Sequence, residues 1–278
     1  MIRDRRLVSS MKIAISGKGG VGKTTVSALL AEEYVQRGRD VLAVDMDPSP
    51  TLAEALAVPD DVRSSLRPIS EMDELIAERT GAEPGASGVF FTLNPRVDDL
   101  PDRFSVLHRG VRLLEMGGLE SGGAGSICPE SAMLRTLFTH LLFRRDDVLL
   151  LDMYAGVEHL GRATVDFVDA MIVVVNPTRS SLTAADQIEK MAHDIGLTRV
   201  WLVGNRVRDR EDLAFLEGAA TGRPLLGHLP DDPDAIGADR RGEPVYAAAP
   251  TLRGAVARVA DALDRLVTDM RPLAADER

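Results

Sequence analysis

Residues 17–24 read Gly17-Lys18-Gly19-Gly20-Val21-Gly22-Lys23-Thr24, with Thr25 following. The stretch comes directly after an apolar run, Met11–Ser16. It comes directly before Thr24–Arg37, whose residues Val26, Leu29, Leu30, Ala31, Tyr34 and Val35 recur at helical spacing up to a natural stop at Gly38. A G-x-x-x-x-G-K-[ST] spacing between a strand and a helix is a phosphate-binding loop. Glycines let successive backbone N–H groups converge on phosphate oxygens, and the helix N-terminus adds positive potential. Lys23 is placed to reach the β- and γ-phosphates and the Thr24 hydroxyl to ligate Mg²⁺.

Lysine usage sharpens this reading. The chain of 278 residues carries 33 basic residues, and only Lys12, Lys18, Lys23 and Lys190 are lysines. Arginine serves almost everywhere else. Two of the four lysines nevertheless fall within Gly17–Thr25, where a compact, strongly hydrated ammonium is the chemistry required.

Working outward, strand-length apolar runs alternate with helix-length segments. Val41–Val44, Val89–Leu93, Val111–Met116, Val148–Asp152, Met171–Val175, Val200–Val203 and Leu225–Leu226 are strand candidates. Ser70–Arg79, Pro129–Phe143 and about 252–270 read as helices, and Gly81–Gly88 as a loop. Near-continuous apolar strands between helices predict a single α/β domain of the P-loop NTPase type. Its sheet is mostly parallel, with helices on both faces. The domain is expected over 11–270, with a flexible tail at 271–278. Residues 1–10 read either as a disordered arm or as an upstream start choice.

Composition narrows the function classes. The apolar fraction of 45% suffices for a large core, and 4% aromatics make that core aliphatic. A formal charge of −10 argues against nucleic acid as a partner. No apolar run approaches the ~18 residues of a membrane span, so no membrane insertion is expected. The basic N-terminus lacks the apolar stretch of a secretory signal. The one cysteine, Cys128, forms no disulfide within the chain and fits a reducing cytoplasm.

The pattern K-G-G-x-G-K-T-T at Lys18–Thr25 resembles the deviant phosphate loop of the MinD/ParA-type ATPases. That resemblance implies that Lys18 crosses a dimer interface to the partner's nucleotide, stabilising charge as an arginine finger does. Val44-Asp45-Met46-Asp47-Pro48 resembles the family's D-x-D-P switch. It implies that Asp47 orients or activates the attacking water and that Asp45 belongs to the Mg²⁺ shell. Asp152, after an apolar strand, is expected to hold Mg²⁺ through water, with Gly156 presenting its N–H to the γ-phosphate. Asn205 resembles the adenine-contacting Asn, and Leu229–Pro233, with Pro230, the segment that flanks the base. A turn residue is the plain alternative for each of these.

Ser126–Arg135 and Leu151–Arg162, with Ala170–Ser181 and Arg199–Val207, are similar to the CooC-type ATPases that help load nickel into carbon monoxide dehydrogenase. The resemblance covers about 11–268. It implies an ATP-dependent homodimer that acts on a client metalloenzyme. CooC-type chains carry a C-x-C pair where this chain has Ser126 and Cys128. A dimer here offers two thiolates to Ni²⁺ or Zn²⁺ at its interface, not four. Glu158 and His159 lie close by in sequence, and His159 reads either as a transient ligand or as a structural histidine. Two other readings stand beside this one. A positioning ATPase needs a basic DNA-binding surface or a membrane-binding helix. An iron–sulfur reductase-like ATPase needs two cysteines per chain.

Overall fold

The computed structural model describes residues 10–86, 89–118, 128–143, 147–154, 156, 167–220 and 223–269. The chain runs β1 (Met11–Gly17), α1 (Lys23–Gln36), β2 (Val41–Met46), α2 (Leu52–Ala55), α3 (Asp60–Arg63), a 3-10 turn (Ile69–Glu71) and α4 (Asp73–Thr80). It continues through α5 (Leu100–Phe104), β3 (Val106–His108), β4 (Val111–Glu115), α6 (Pro129–Phe143), β5 (Val148–Met153), β6 (Ala170–Val175) and α7 (Arg179–Ile195). It ends with β7 (Val200–Val207), α8 (Arg210–Ala219), β8 (Leu225–Pro230), α9 (Pro233–Arg241), α10 (Val245–Ala248) and α11 (Pro250–Asp269).

The strands form one sheet in the order β3-β4-β2-β5-β1-β6-β7-β8. Every described pairing is parallel except β3 with β4. The residues of the inner strands β2, β5 and β6 are buried on both faces, which is why those runs read as continuously apolar. Ile13, Ile15, Ala43, Leu150 and Ile172 face α1, α10 and α11. Ala14, Val44, Leu151, Val173 and Leu202 face α4, α6 and α7. The order reverses at β1, which lies between β5 and β6, so the carboxyl ends of β1, β2, β5 and β6 open onto one edge. That is where open α/β sheets bind ligands.

Several expectations need correcting. Val89–Leu93 forms no strand. Phe90 is fully exposed, and Thr92 N–H donates to the Thr80 carbonyl at 2.8 Å. The free edge of β4 is taken by β3 instead, a three-residue antiparallel strand whose length gave no periodic signal. The helix expected over Ser70–Arg79 is split by Met72 into the 3-10 turn and α4. Asn205 and Pro230 lie within strands and not after them. The proposed arm and tail fall outside the described residues, apart from Ser10.

α1 is the central helix, and Leu30 on it is fully buried in the α1/α11 layer. Leu30→Ala is expected to cost about 2–5 kcal/mol, as large-to-small core substitutions do. Leu107, on the exposed edge strand, is 71% accessible. Leu107→Ala is expected to stay within ~0.5 kcal/mol of wild type. Urea unfolding of the two variants checks both values.

Candidate nucleotide site

The loop between β1 and α1 is shaped by close approaches. A Cβ on Gly17 would stand 2.6 Å from the Val174 carbonyl oxygen on β6. Gly22 caps α1 with φ +95, a left-handed backbone that favours glycine, and a Cβ there would lie 2.3 Å from Asn205 Nδ2. Gly20 is left-handed too. Gly19 and Val21 complete the turn, with Val21 N–H donating to the Lys18 carbonyl at 3.3 Å. The first turn of α1 carries no acidic residue, so its N–H groups and positive potential are left for an anion.

Two long-range bonds hold the loop. Asn205 Nδ2, buried on β7, donates to the Val21 carbonyl at 2.8 Å. The exposed Lys18 ammonium donates to Ser180 Oγ, in the first turn of α7, at 3.1 Å. Gly156 is held from below. Ser16 Oγ donates to its carbonyl at 2.8 Å, and Gly156 N–H lies 3.3 Å from the same oxygen.

Strand register assembles the carboxylates. Glu115, Asp45 and Asp152 are neighbours across β4, β2 and β5. They face α1, in the same alternation as Leu113, Ala43 and Leu150. Asp152 accepts from Ser27 Oγ at 3.0 Å and is also hydrogen-bonded by Thr24. Burial, with Asp45 adding repulsion, pushes its carboxyl up to about 7 against the pull of Thr24, Ser27 and Lys23. The Thr24 hydroxyl and the Asp152 carboxylate are hard oxygen donors that meet at the end of the phosphate loop, which suits Mg²⁺.

Asp45 has other work. Its Oδ1 accepts from Asp47 N–H at 3.0 Å, and its Oδ2 from Thr51 and Leu52 N–H at 2.8 and 2.9 Å. Burial raises its pKa despite those bonds. Burial and the nearby Asp45 push Glu115 up to about 7. Asp47 is half-buried and accepts from Ser49 N–H at 2.9 Å.

A cavity of about 230 Å³ opens beside the loop. Thr25, Asn205 and Pro230, far apart in sequence, line it together with Ile236 and Tyr246. Sequence reasoning missed its floor. Glu32 on α1 is paired with Arg109 at 3.0 Å, and Tyr246 donates to Glu33 at 2.7 Å. Helical spacing from Thr25 was the one available signal for Glu32. Ser27 was missed as well, although it stands one turn after Lys23.

The second expected centre is only partly in view. Cys128 is half-buried just before α6, its Sγ 2.7 Å from Ser131 Oγ. Ser126, Glu158 and His159 lie outside the described residues. Among the described residues no three His, Cys, Asp or Glu side chains gather as a metal group, and no helix is long and apolar enough to cross a membrane.

Known proteins resemble this chain over most of its length. The family model for the CobQ/CobB/MinD/ParA nucleotide binding domain matches residues 12–245. The carbon monoxide dehydrogenase accessory protein CooC of Rhodospirillum rubrum is 43% identical over 243 residues, which is 87% of this chain and 92% of that protein. An ATP-binding protein of Methanocaldococcus jannaschii is also 43% identical, over 84% of this chain and 91% of its own length. Among solved structures, MinD of Pyrococcus horikoshii complexed with Mg-ADP superposes with a TM-score of 0.65 at 24% identity. The match covers 95% of this chain and 100% of that one.

Gly22→Ala tests the loop geometry. Forcing a side chain into the left-handed backbone costs about 1–3 kcal/mol. Nucleotide affinity should therefore fall roughly ten- to a hundredfold, at 1.36 kcal/mol per tenfold. Titration with a fluorescent ATP analogue reads the change.

Proposed function

The chain belongs to the CobQ/CobB/MinD/ParA nucleotide-binding family, and we propose that within it the protein acts as a dimeric, ATP-driven maturation factor for a metalloenzyme. It is an ATPase. The observation that carries the finer reading is the 43% identity to CooC across nearly the whole of that protein. The family model, which matches residues 12–245, spans both the phosphate loop and the carboxylate row.

In this reading the backbone N–H groups of Gly17–Thr25 cradle the phosphates. Lys23 neutralises the β- and γ-phosphates, and Asn205, Thr25 and Pro230 hold the base in the adjoining cavity. Thr24, and Asp152 through water, would hold Mg²⁺, which when bound neutralises phosphate charge. Asp45, tied to three backbone N–H groups, sets the shape of the loop that carries Asp47 and lies behind the metal shell. Asp47 orients the attacking water. Gly156 N–H turns from Ser16 to the γ-phosphate, and Lys18 leaves Ser180 for the partner's nucleotide. The charge building up on the transferring phosphoryl group is then met from both subunits.

Binding of ATP closes the dimer, and hydrolysis reopens it to release a metal ion, Ni²⁺ or Zn²⁺, to the client. Carbon monoxide dehydrogenase is the client that the relative's name suggests. One thiol per chain means that a metal bound by Cys128 draws on both subunits. A membrane-positioning role has less support, because the apolar stripe of α11, Leu252, Val256, Val259 and Leu263, is buried in the core.

Two measurements test the reading. With ATP, Asp47→Ala should be trapped as a dimer by light scattering, whereas Lys18→Ala should remain monomeric. The same mass for both proteins, with and without ATP, counts against a cross-subunit lysine. Wild type with ATP should bind one Ni²⁺ per dimer by equilibrium dialysis, more weakly as pH falls, because thiols must lose protons to bind. Cys128→Ala should lose that metal and keep its ATPase activity. Absence of Ni²⁺ or Zn²⁺ binding in either nucleotide state would remove the metal-carrying role.

A further inference from the structure

Gly118, on the loop leaving β4, needs no special backbone. Its φ is not left-handed, and conformational freedom does not explain a glycine there. Space does. A Cβ on Gly118 would stand 2.6 Å from Pro48 Cγ, 3.2 Å from Cβ and 3.3 Å from Cδ. The neighbour is a proline ring, which cannot swing away as a long side chain would. Pro48 is otherwise exposed, and it directly follows Asp47.

The same two segments are bonded a few residues earlier. Met116 and Gly117 N–H both donate to the Asp45 carbonyl, at 2.9 and 3.4 Å. Ser70 N–H donates to the Met116 carbonyl at 3.1 Å, and a Cβ on Gly117 would collide with Ser70 Oγ. The β4 exit is thus bonded to the Asp45 carbonyl and to Ser70, and Pro48 packs against it. Pro48, Gly118, Glu130 and Ser131 line one cavity of about 300 Å³. Ser131 is the residue in contact with Cys128.

We propose that Gly118 is a positioning residue for ATP hydrolysis. It is the seat on which Pro48 rests, so it fixes where Asp47 stands and links the Asp45–Asp47 loop to the first turn of α6. The proposal rests on the reading that Asp47 orients the attacking water. A methyl group at 118 pushes Pro48 off its seat and moves the Asp47 carboxylate, while the phosphate loop, which does not touch Gly118, still binds nucleotide.

The test is a double-mutant cycle. Gly118→Ala should lower kcat roughly ten- to a hundredfold, the scale of a misplacement of about 1 Å, while the Kd for ATP stays within about threefold. Pro48→Ala removes Cγ, the one ring atom closer than 3.0 Å, along with Cδ, and opens the rigid ring so that the remaining Cβ at 3.2 Å can give way, so in that background Gly118→Ala should cost less than about threefold. An equal kcat loss in both backgrounds overturns the seat. A single thiol makes alkylation of Cys128 by iodoacetamide a second readout that needs no variant. Its rate in wild type should change when ATP and Mg²⁺ are added, and that nucleotide dependence should be lost in Gly118→Ala. A wild-type rate indifferent to ATP, with ATP binding verified in the same sample, overturns the link to α6 even if Gly118→Ala does not fold. Asp47→Ala is assayed alongside. Normal hydrolysis by that variant, together with a Pro48-dependent effect of Gly118→Ala, would sink the Asp47 reading and leave the seat standing.

Discussion

A carboxylate buried at the centre of the sheet sets the terms for the rest of the molecule. Asp152 is 2% exposed and lies beside Asp45 on the next strand. Two such groups are costly to bury together unless positive potential and donors are supplied close by. α1 supplies them from its first two turns: Thr24 and Ser27 as hydroxyl donors, Lys23 as charge, and the positive end of the helix. The sheet order, with β5 between β1 and β2, and the start of α1 directly after the phosphate loop bring these groups to Asp152.

The remainder of α1 serves to keep that start in place. Arg37 in its C-cap binds Glu33, Asp261 and Asp264 and donates to the Ala257 carbonyl. Tyr34, fully buried, donates to Asp264 at 3.2 Å. Exposed ion pairs contribute little singly. Here several share one partly buried guanidinium, and they lie over the apolar seam between α1 and α11. Glu32 and Glu33 extend the anchoring to the β3–β4 turn through Arg109 and to α10 through Tyr246. The helix that presents its N-terminus to the nucleotide is thus clamped along its length.

Much of this was legible in the sequence, and the boundary has a physical basis. The loop at Gly17–Thr25, the strands carrying Asp45 and Asp152, and α6 and α11 all announce themselves through glycine punctuation or sustained periodicity. α7 passed without notice although Leu182, Ala185, Ile188, Ala192 and Ile195 recur at helical spacing against the core. Val89–Leu93 misled because an apolar run becomes a strand only where it pairs with a sheet edge, and here β3 is the segment that pairs with β4 while Val89, Phe90 and Leu93 stay exposed. The roles of Ser16 and Ser27 could not be read at all. Each depends on which strand becomes a neighbour, and register is a property of the folded sheet. Asp45 shows the limit most clearly. Spacing marks it as a site carboxylate, but three backbone N–H groups already claim it.

Three of the groups expected to act on nucleotide are held by modest partners in this structure. Lys18 lies on the Ser180 hydroxyl, Gly156 N–H on the Ser16 hydroxyl, and Asp47 on the Ser49 N–H. Net contributions from such bonds are about 0.5–1.5 kcal/mol, or about 1.5–3 where one group is charged. A polyphosphate carries several charges into the same space and forms charge-assisted bonds with each group. Lys18 also stands at the N-terminal, positive end of α7, an unfavourable place for a cation. The contacts are enough to define a resting geometry and weak enough for nucleotide to displace. A site that must switch between free, bound and hydrolysed states needs that balance, because a group locked by a strong internal ion pair would not move to the phosphate.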